Sequence, residues 1–282
     1  MAAFKPRRAH TTMTFFPNTA QNSANGKPSR EYGAYAERAR RFRHRGIYLL
    51  PNALTTAALF CGFFAIVQAM NAHFETAAIA IFFAMVFDGM DGRIARMTKT
   101  QSAFGEQYDS LSDMVSFGAA PALIMYEWVL KGLGRWGWIA AFVYCAGTAL
   151  RLARFNSNLH ALDKRFFQGL PCPAAAALIA GFVWLVIDNQ ISVKAAWLPW
   201  FAFALTWYAG ITMVSSAPFY SGKALDMQHR VPFGVLLLVV VVFVLVSFDP
   251  PRMLFSLFIL YGLSGYAVWI GQRWRRRKRE AR

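Results

Sequence analysis

Four aspartates in two pairs are the residues of this sequence whose types and spacing best suit chemistry. Asp88 and Asp91 are three positions apart, and Asp109 and Asp113 are four apart. On a helix, either spacing puts both side chains on the same face. The first pair ends one apolar segment and the second pair begins the next, with a short polar connection between them. Two antiparallel helices would therefore bring all four carboxylates to one point.

Such a cluster of carboxylates needs a counter-charge. An ionised aspartate in the middle of a membrane costs about 2.5–3.5 kcal/mol on insertion scales, and four together would also repel one another. Divalent cations relieve that repulsion, and a set of oxygen ligands favours Mg²⁺ or Mn²⁺. The three cysteines are scattered and the five histidines show no paired spacing, which argues against a zinc site.

Two glycines and an arginine accompany the aspartates. Gly92 follows Asp91 directly and Gly105 precedes Asp109 by four residues, which would leave room for a bulky group beside the carboxylates. Close packing of membrane helices is the alternative reason for a glycine at either position. Arg96 follows Gly92 by four residues and would point toward the same site, where it suits a carboxylate or a phosphate.

The elements that hold these residues are predicted to be membrane-spanning helices. Hydrophobic residues make up 56% of the chain and charged residues only 16%, against roughly 25% in ordinary soluble domains. A spanning helix needs roughly 20 apolar residues. The sequence predicts an all-α, polytopic integral membrane protein with about eight transmembrane helices, over residues 49–70, 74–95, 110–130, 137–154, 171–187, 195–214, 231–248 and 253–271.

The basic residues predict the orientation of these helices. With eight spans, all but four of the 30 Lys and Arg residues fall on one side, the exceptions being Lys131, Arg135, Lys194 and Arg252. Because cytoplasmic loops carry the excess of Lys and Arg, both termini and the aspartates are predicted to face the cytoplasm from the inner membrane.

Three regions follow from composition. Residues 1–46 are predicted to form a basic, unstructured cytoplasmic arm, residues 47–272 the membrane-embedded domain, and residues 273–282 a basic cytoplasmic tail. The basic ends suit anionic lipid, or they serve only to set the topology. Nucleic acid is not an expected partner beside so many membrane helices.

The aspartates, glycines and arginine together form a recognisable motif. The pattern D-x-x-D-G-x-x-A-R-x8-G-x3-D-x3-D is matched at every specified position, from Asp88 through Ala95 to Asp113. It resembles the signature of the CDP-alcohol phosphatidyltransferases, integral membrane enzymes of phospholipid synthesis.

The resemblance implies roles for each motif residue. Asp88, Asp91, Asp109 and Asp113 would hold one or two divalent metals that grip the diphosphate of a CDP-linked lipid, and Asp113 would be the general base. Gly92 and Gly105 would make space for the cytidine, and Arg96 would orient the carboxylates. The family also implies a six-helix catalytic core and a homodimer.

Segments outside the motif bear on the substrates. Asn52 and Thr55 share a helix face at the cytoplasmic end of the first span, where they suit contact with the nucleotide, although Asn52 also suits a helix cap. The segments "RLARFN" and "FFQGLPCPAAAA" resemble those of the family's bacterial branch that uses CDP-diacylglycerol and L-serine. Arg151 and Arg154 of the first segment are candidates for binding the acceptor or a phosphate, with topological anchoring as the alternative.

Other functions remain open from the sequence. The same chemistry with glycerol 3-phosphate, an inositol phosphate or choline as acceptor would use the same motif. A divalent-cation transporter would explain the aspartates, but it would leave the glycines and the arginine at fixed spacing unexplained.

Overall fold

The computed structural model describes residues 30–98, 100, 102–157, 166–192, 195–220 and 233–280. Side chains are described for residues 50–98, 100, 102–157, 168–192, 195–219, 234, 237 and 240–270. The described chain is mostly helical, with α-helices α1 (Arg30–Met70), α2 (Phe74–Thr98), α3 (Ala103–Asp113), α4 (Ala120–Trp128), α5 (Arg135–Ser157), α6 (Cys172–Asp188), α7 (Leu198–Val214), α8 (Phe233–Phe248) and α9 (Pro250–Glu280). A 3₁₀ turn, Leu130–Leu133, precedes α5.

Contacts divide the chain into Met1–Gly46 and Ile47–Arg282. Residues 30–46 of the predicted arm are helical, and the division into arm, membrane domain and tail stays a prediction. This stretch contains "AYAERARR", whose alanine, glutamate and arginine residues all favour helix. Residues 1–29 of the predicted arm and residues 281–282 of the predicted tail lie outside the described residues.

The length and apolar character of the helices support a membrane protein. Within the described residues, the segments Leu50–Met70 and Pro250–Ile270 are long and apolar enough to cross a membrane, while Cys172–Asp188 and Leu198–Val214 are apolar but shorter. Many large apolar side chains are exposed on the helix surfaces, far more than a water-facing protein usually shows. The number of spanning helices stays a prediction.

The third predicted span is not one continuous α-helix. A π-helical segment, Met114–Ala119, lies between α3 and α4. Pro121 cannot donate to the carbonyl of Phe117, four residues earlier, so the regular ladder is interrupted there. The hydroxyl of Tyr144 on α5 donates to that carbonyl at 2.9 Å and satisfies it. The π-helical segment begins directly after Asp113.

The core lies around α6, whose alanine-rich sequence is buried over most of its length. Small side chains let α2, α7 and α9 approach it closely. The all-α prediction missed one short ribbon, in which strand β1 (Phe166–Gln168) pairs antiparallel with β2 (Pro218–Tyr220). Gly169 follows β1 with φ +79°, and a Cβ there would lie 2.3 Å from the carbonyl oxygen of Met213. Only glycine fits this junction.

Candidate active site

The structure brings the aspartates of α2 and α3 together. One carboxylate oxygen each from Asp88, Asp91 and Asp109 lies within 4.8 Å of the other two. Asp113, one helical turn beyond Asp109, is within hydrogen-bonding range of the Asp88 carboxyl. The i, i+3 and i, i+4 spacings thus place the aspartates of each pair on one helix face, as the sequence predicts.

The cluster fits a divalent cation. Asp109 Oδ1 is buried and has no hydrogen-bond partner among the described residues. Asp109 lies just before the third predicted span; burial, reinforced by the carboxylates of Asp88 and Asp91, raises its pKa to about 7. An orphaned carboxylate oxygen beside two more is the donor set that a hard cation such as Mg²⁺ or Mn²⁺ prefers.

Helix α1 fixes the position of Asp91. Its Thr55 hydroxyl, which is buried, donates to Asp91 Oδ2 and also lies 3.1 Å from the carbonyl oxygen of Pro51. The backbone of α1 is tied in turn to the neighbouring elements, because Ser112 Oγ donates to the Thr55 carbonyl at 3.1 Å and Ser116 Oγ to the Ala58 carbonyl at 3.0 Å. These hydrogen bonds hold α1 in place beside the aspartates.

A cavity of about 320 Å³ opens beside the aspartates; we call it the aspartate cavity. Its walls include the predicted nucleotide-binding residues Asn52, Thr55, Gly92, Arg96 and Gly105, together with Asp91 and Asp109. A Cβ added at Gly92 would meet none of the described residues within 4 Å, so this glycine leaves open space rather than allowing helix packing. A Cβ at Gly105 would lie 3.2 Å from Ser102 Oγ and 3.6 Å from Asn52 Oδ1.

The contacts of Arg96 differ from the prediction that it would orient the carboxylates. Its Nε donates to the Gly92 carbonyl of its own helix at 2.8 Å, and it forms no ion pair with any described carboxylate. The side chain folds back along α2 into the cavity wall. There it lines the same cavity as Asp91 and Asp109.

The two arginines of "RLARFN" have different surroundings. Arg151 Nη1 contacts Cys172 Sγ at 3.1 Å, its buried Nε has no partner among the described residues, and its charge acts on Asp113. Arg154 Nη1 donates instead to the carbonyl oxygen of Val214 at 2.9 Å. Neither lines the aspartate cavity.

Sequence reasoning missed several residues of the cavity wall: Pro51, Thr100, Ser102, Glu106 and Phe155. One of them carried a signal. Ser102 caps α3 by accepting a hydrogen bond from the Gly105 N–H at 3.0 Å, and a serine directly before a helix is a common cap. Thr100 and Phe155 reach the cavity only through the tertiary fold.

Comparison with known proteins identifies the family. The sequence model of the CDP-alcohol phosphatidyltransferases matches residues 48–209, more than half of the chain. The protein belongs to the CDP-alcohol phosphatidyltransferase family. The resemblance seen in the motif is thereby confirmed, and the chain joins a family of enzymes of phospholipid synthesis. All four clustered aspartates lie within the matched region of this phosphatidyltransferase.

Three relatives of this phosphatidyltransferase are each named CDP-diacylglycerol–serine O-phosphatidyltransferase. The protein of Helicobacter pylori strain J99 is 33% identical over 225 residues, covering 79% of this chain and 92% of the relative. That of Mycobacterium tuberculosis strain H37Rv is 30% identical over 241 residues, covering 82% of each. That of Saccharomyces cerevisiae is 37% identical over 159 residues, covering 50% of this chain and 57% of the relative.

Proposed function

We propose that this protein transfers the phosphatidyl group of CDP-diacylglycerol to the hydroxyl of L-serine, giving phosphatidylserine and CMP. The observation that carries the proposal is the convergence of three aspartate oxygens within 4.8 Å beside a cavity walled by the motif's glycines. The names of the relatives support serine as the acceptor.

The aspartate cavity is proposed to hold the CDP moiety. Its open space beside Gly92 suits the cytidine, and Arg96 faces the same space with a guanidinium that suits phosphate. Asn52 and Thr55 line the opposite wall on α1. Asn52 offers an amide for hydrogen bonding to the nucleotide, while the Thr55 hydroxyl is engaged with Asp91.

The carboxylates of Asp88, Asp91, Asp109 and Asp113 are proposed to hold one or two divalent metal ions, Mg²⁺ or Mn²⁺. When bound, such an ion polarises the diphosphate and neutralises charge on the departing CMP. The Thr55 hydroxyl donates to Asp91 Oδ2 and so would orient that carboxylate for a metal.

Asp113 is proposed to accept the proton of the serine hydroxyl. The serine oxygen then forms a bond to the phosphorus that carries diacylglycerol, and the bond from that phosphorus to the oxygen of CMP breaks. The proton remains on Asp113 until it passes to water. Asp113 is half-buried at the junction of α3 and the π-helical segment, where the interrupted helix holds it next to Asp88.

Arg151 is proposed to bind the carboxylate of serine. Of the two arginines in its segment, it is the one whose charge acts on Asp113 and whose buried Nε lacks a partner among the described residues. A carboxylate there would satisfy that donor and would hold the serine hydroxyl near the proposed base.

The proposal includes the location, the domain bounds and the oligomeric state of the protein. The protein would lie in the inner membrane with both termini and the active site cytoplasmic, as the distribution of Lys and Arg predicts. It would have a catalytic domain over residues 47–272, and it would work as a homodimer with a six-helix catalytic core.

The direct test is release of CMP from CDP-diacylglycerol by the purified protein, with and without serine and with and without Mn²⁺. Serine-dependent CMP release that EDTA abolishes is the expected result, with phosphatidylserine as the lipid product. Release of CMP with glycerol 3-phosphate, an inositol phosphate or choline, but none with serine, would assign the site to another alcohol.

A further inference from the structure

A second hollow lies between α5 and α7, away from the aspartates. We call it the α5–α7 groove; its volume is about 420 Å³. The walls are almost entirely apolar and include Phe142, Ala146 and Leu150 from α5 with Ile211 and Val214 from α7. Phe142, Leu150 and Ile211 are exposed, so the groove opens on the outer surface of the described helices.

The two helices that form the groove run side by side in the same direction. Gly147 of α5 meets Gly210 of α7 so closely that a Cβ at position 147 would lie 2.6 Å from the Gly210 carbonyl oxygen. Farther along, Arg154 of α5 reaches the carbonyl of Val214 of α7. The glycine contact forms the floor of the groove, and the larger side chains beside it form the walls.

A cation lies beside one end of this apolar groove, bonded to one of its wall residues. Phe142, Ala146, Leu150 and Arg154 follow one another at intervals of four residues, and so they form a single stripe along α5. The half-buried Arg154 donates from Nη1 to Val214, itself a wall residue of the groove. A guanidinium has five N–H donors, and the others of Arg154 bond to no other described residue.

Aromatic residues mark the opposite end. Trp136 and Trp138 at the start of α5 and Trp197 and Trp200 beside the start of α7 are all exposed, as tryptophans at a membrane–water interface are. From Trp136 to Arg154 an α-helix rises about 27 Å, close to the thickness of the hydrocarbon core of a bilayer, about 30 Å. With α5 placed across a bilayer, the groove would lie at acyl-chain depth and Arg154 at the level of the headgroups.

We propose that the α5–α7 groove binds an anionic phospholipid of the surrounding bilayer. An acyl chain lies in the apolar groove, and the lipid phosphate accepts hydrogen bonds from the N–H groups of Arg154 that bond to no other described residue. The positive charge at the end of an apolar channel selects an amphiphile with a negative headgroup. This site is separate from the aspartate cavity, and it does not depend on the proposed acceptor.

Native mass spectrometry of the full-length protein tests the proposal. The protein is reconstituted with equal amounts of phosphatidylglycerol and phosphatidylcholine that carry identical acyl chains, and bound lipid is counted. Wild type is expected to retain phosphatidylglycerol in preference. Arg154→Gln should weaken that retention about fivefold, the size expected for one basic side chain at a membrane surface. Arg154→Lys, which keeps the charge, should preserve the preference.

Filling the groove gives a second variant that leaves the bond from Arg154 to Val214 in place. Ala146→Phe should eject the lipid because its ring occupies the groove. Ala149→Phe, on an exposed part of α5 outside the groove wall, and Arg135→Gln, at the other end of α5, are the matched controls and should behave as wild type.

Equal retention of the two lipids by wild type would overturn the proposal, as would unchanged retention in Arg154→Gln or Ala146→Phe. If Ala146→Phe separated a dimer without changing lipid retention, the groove would be an interface between two copies of the chain instead.

Discussion

The aspartate cavity and the α5–α7 groove are hollows of similar size with opposite walls. The first, about 320 Å³, is lined by carboxylates, an arginine and an amide, and the second, about 420 Å³, is lined almost wholly by apolar side chains. The polar hollow suits a charged nucleotide and a metal, whereas the apolar one suits an acyl chain. One helical scaffold can therefore offer separate places to the two kinds of chemistry that a phospholipid contains.

Glycine serves opposite purposes in the two hollows. At Gly92 an added Cβ would contact no part of the described chain within 4 Å, whereas at Gly147 it would lie 2.6 Å from a backbone oxygen. The first glycine keeps a space empty, and the second lets two helices touch. A substitution should therefore affect activity at the first position and stability at the second.

The largest effect on activity is expected from a substitution beside the aspartate cavity. Asp113→Asn removes the proposed proton acceptor but keeps its shape, so CMP release should fall by about a thousandfold or more while CDP-diacylglycerol still binds. Glu127→Gln makes the same chemical change on α4, where the side chain pairs with Lys131, and should leave turnover unchanged. A turnover number near that of wild type in Asp113→Asn would remove it as the base.

Gly92→Leu should come next in size. Because the new side chain points into open space, the melting temperature should not fall, and the helix gains a residue of better propensity. The side chain would occupy the space proposed for the cytidine, and activity should drop about a hundredfold through misplacement of the nucleotide. Ordinary activity with leucine at this position would mean that the nucleotide binds elsewhere.

Gly147→Ala tests the α5–α7 groove. The new methyl group forces α5 away from α7, and such overpacking costs about 1–3 kcal/mol of the free energy of unfolding. Thermal unfolding in detergent should show a lower melting temperature, while CMP release per folded molecule stays close to wild type. A variant as stable as wild type would contradict the tight contact between the two helices.

Helical periodicity predicted each aspartate pair, Asp88 with Asp91 and Asp109 with Asp113, and the short polar connection between the two segments predicted that the pairs meet. The same reasoning did not find the π-helical segment, in which Tyr144 of another helix satisfies the Phe117 carbonyl that Pro121 leaves unbonded. It also left Arg151 and Arg154 equivalent, although the fold directs one toward Asp113 and the other toward Val214. Features that need a partner distant in the chain were beyond the sequence.

The smallest expected effect concerns the support of the cluster by α1. Thr55→Val keeps the shape of the side chain but removes the hydroxyl that donates to Asp91. Asp91 would then be free to turn, and the Mn²⁺ concentration for half-maximal CMP release should rise about tenfold, as is typical when a group that orients a metal ligand is lost. Thr206→Val is the matched control, because among the described residues that buried threonine bonds only to the Ala202 carbonyl of its own helix, at 2.7 Å.

The hydroxyl of Thr55 has a single proton and two neighbours, Asp91 Oδ2 and the Pro51 carbonyl. If the metal requirement of Thr55→Val equalled that of wild type, the Thr55 hydroxyl would donate to the Pro51 carbonyl instead of Asp91. Helix α1 would then support the cluster only through its backbone. A shifted requirement with unchanged thermal stability would instead mean that this threonine acts on the carboxylate itself. The metal affinity of the aspartate cavity would then depend on α1 as well as on α2 and α3, which carry the aspartates.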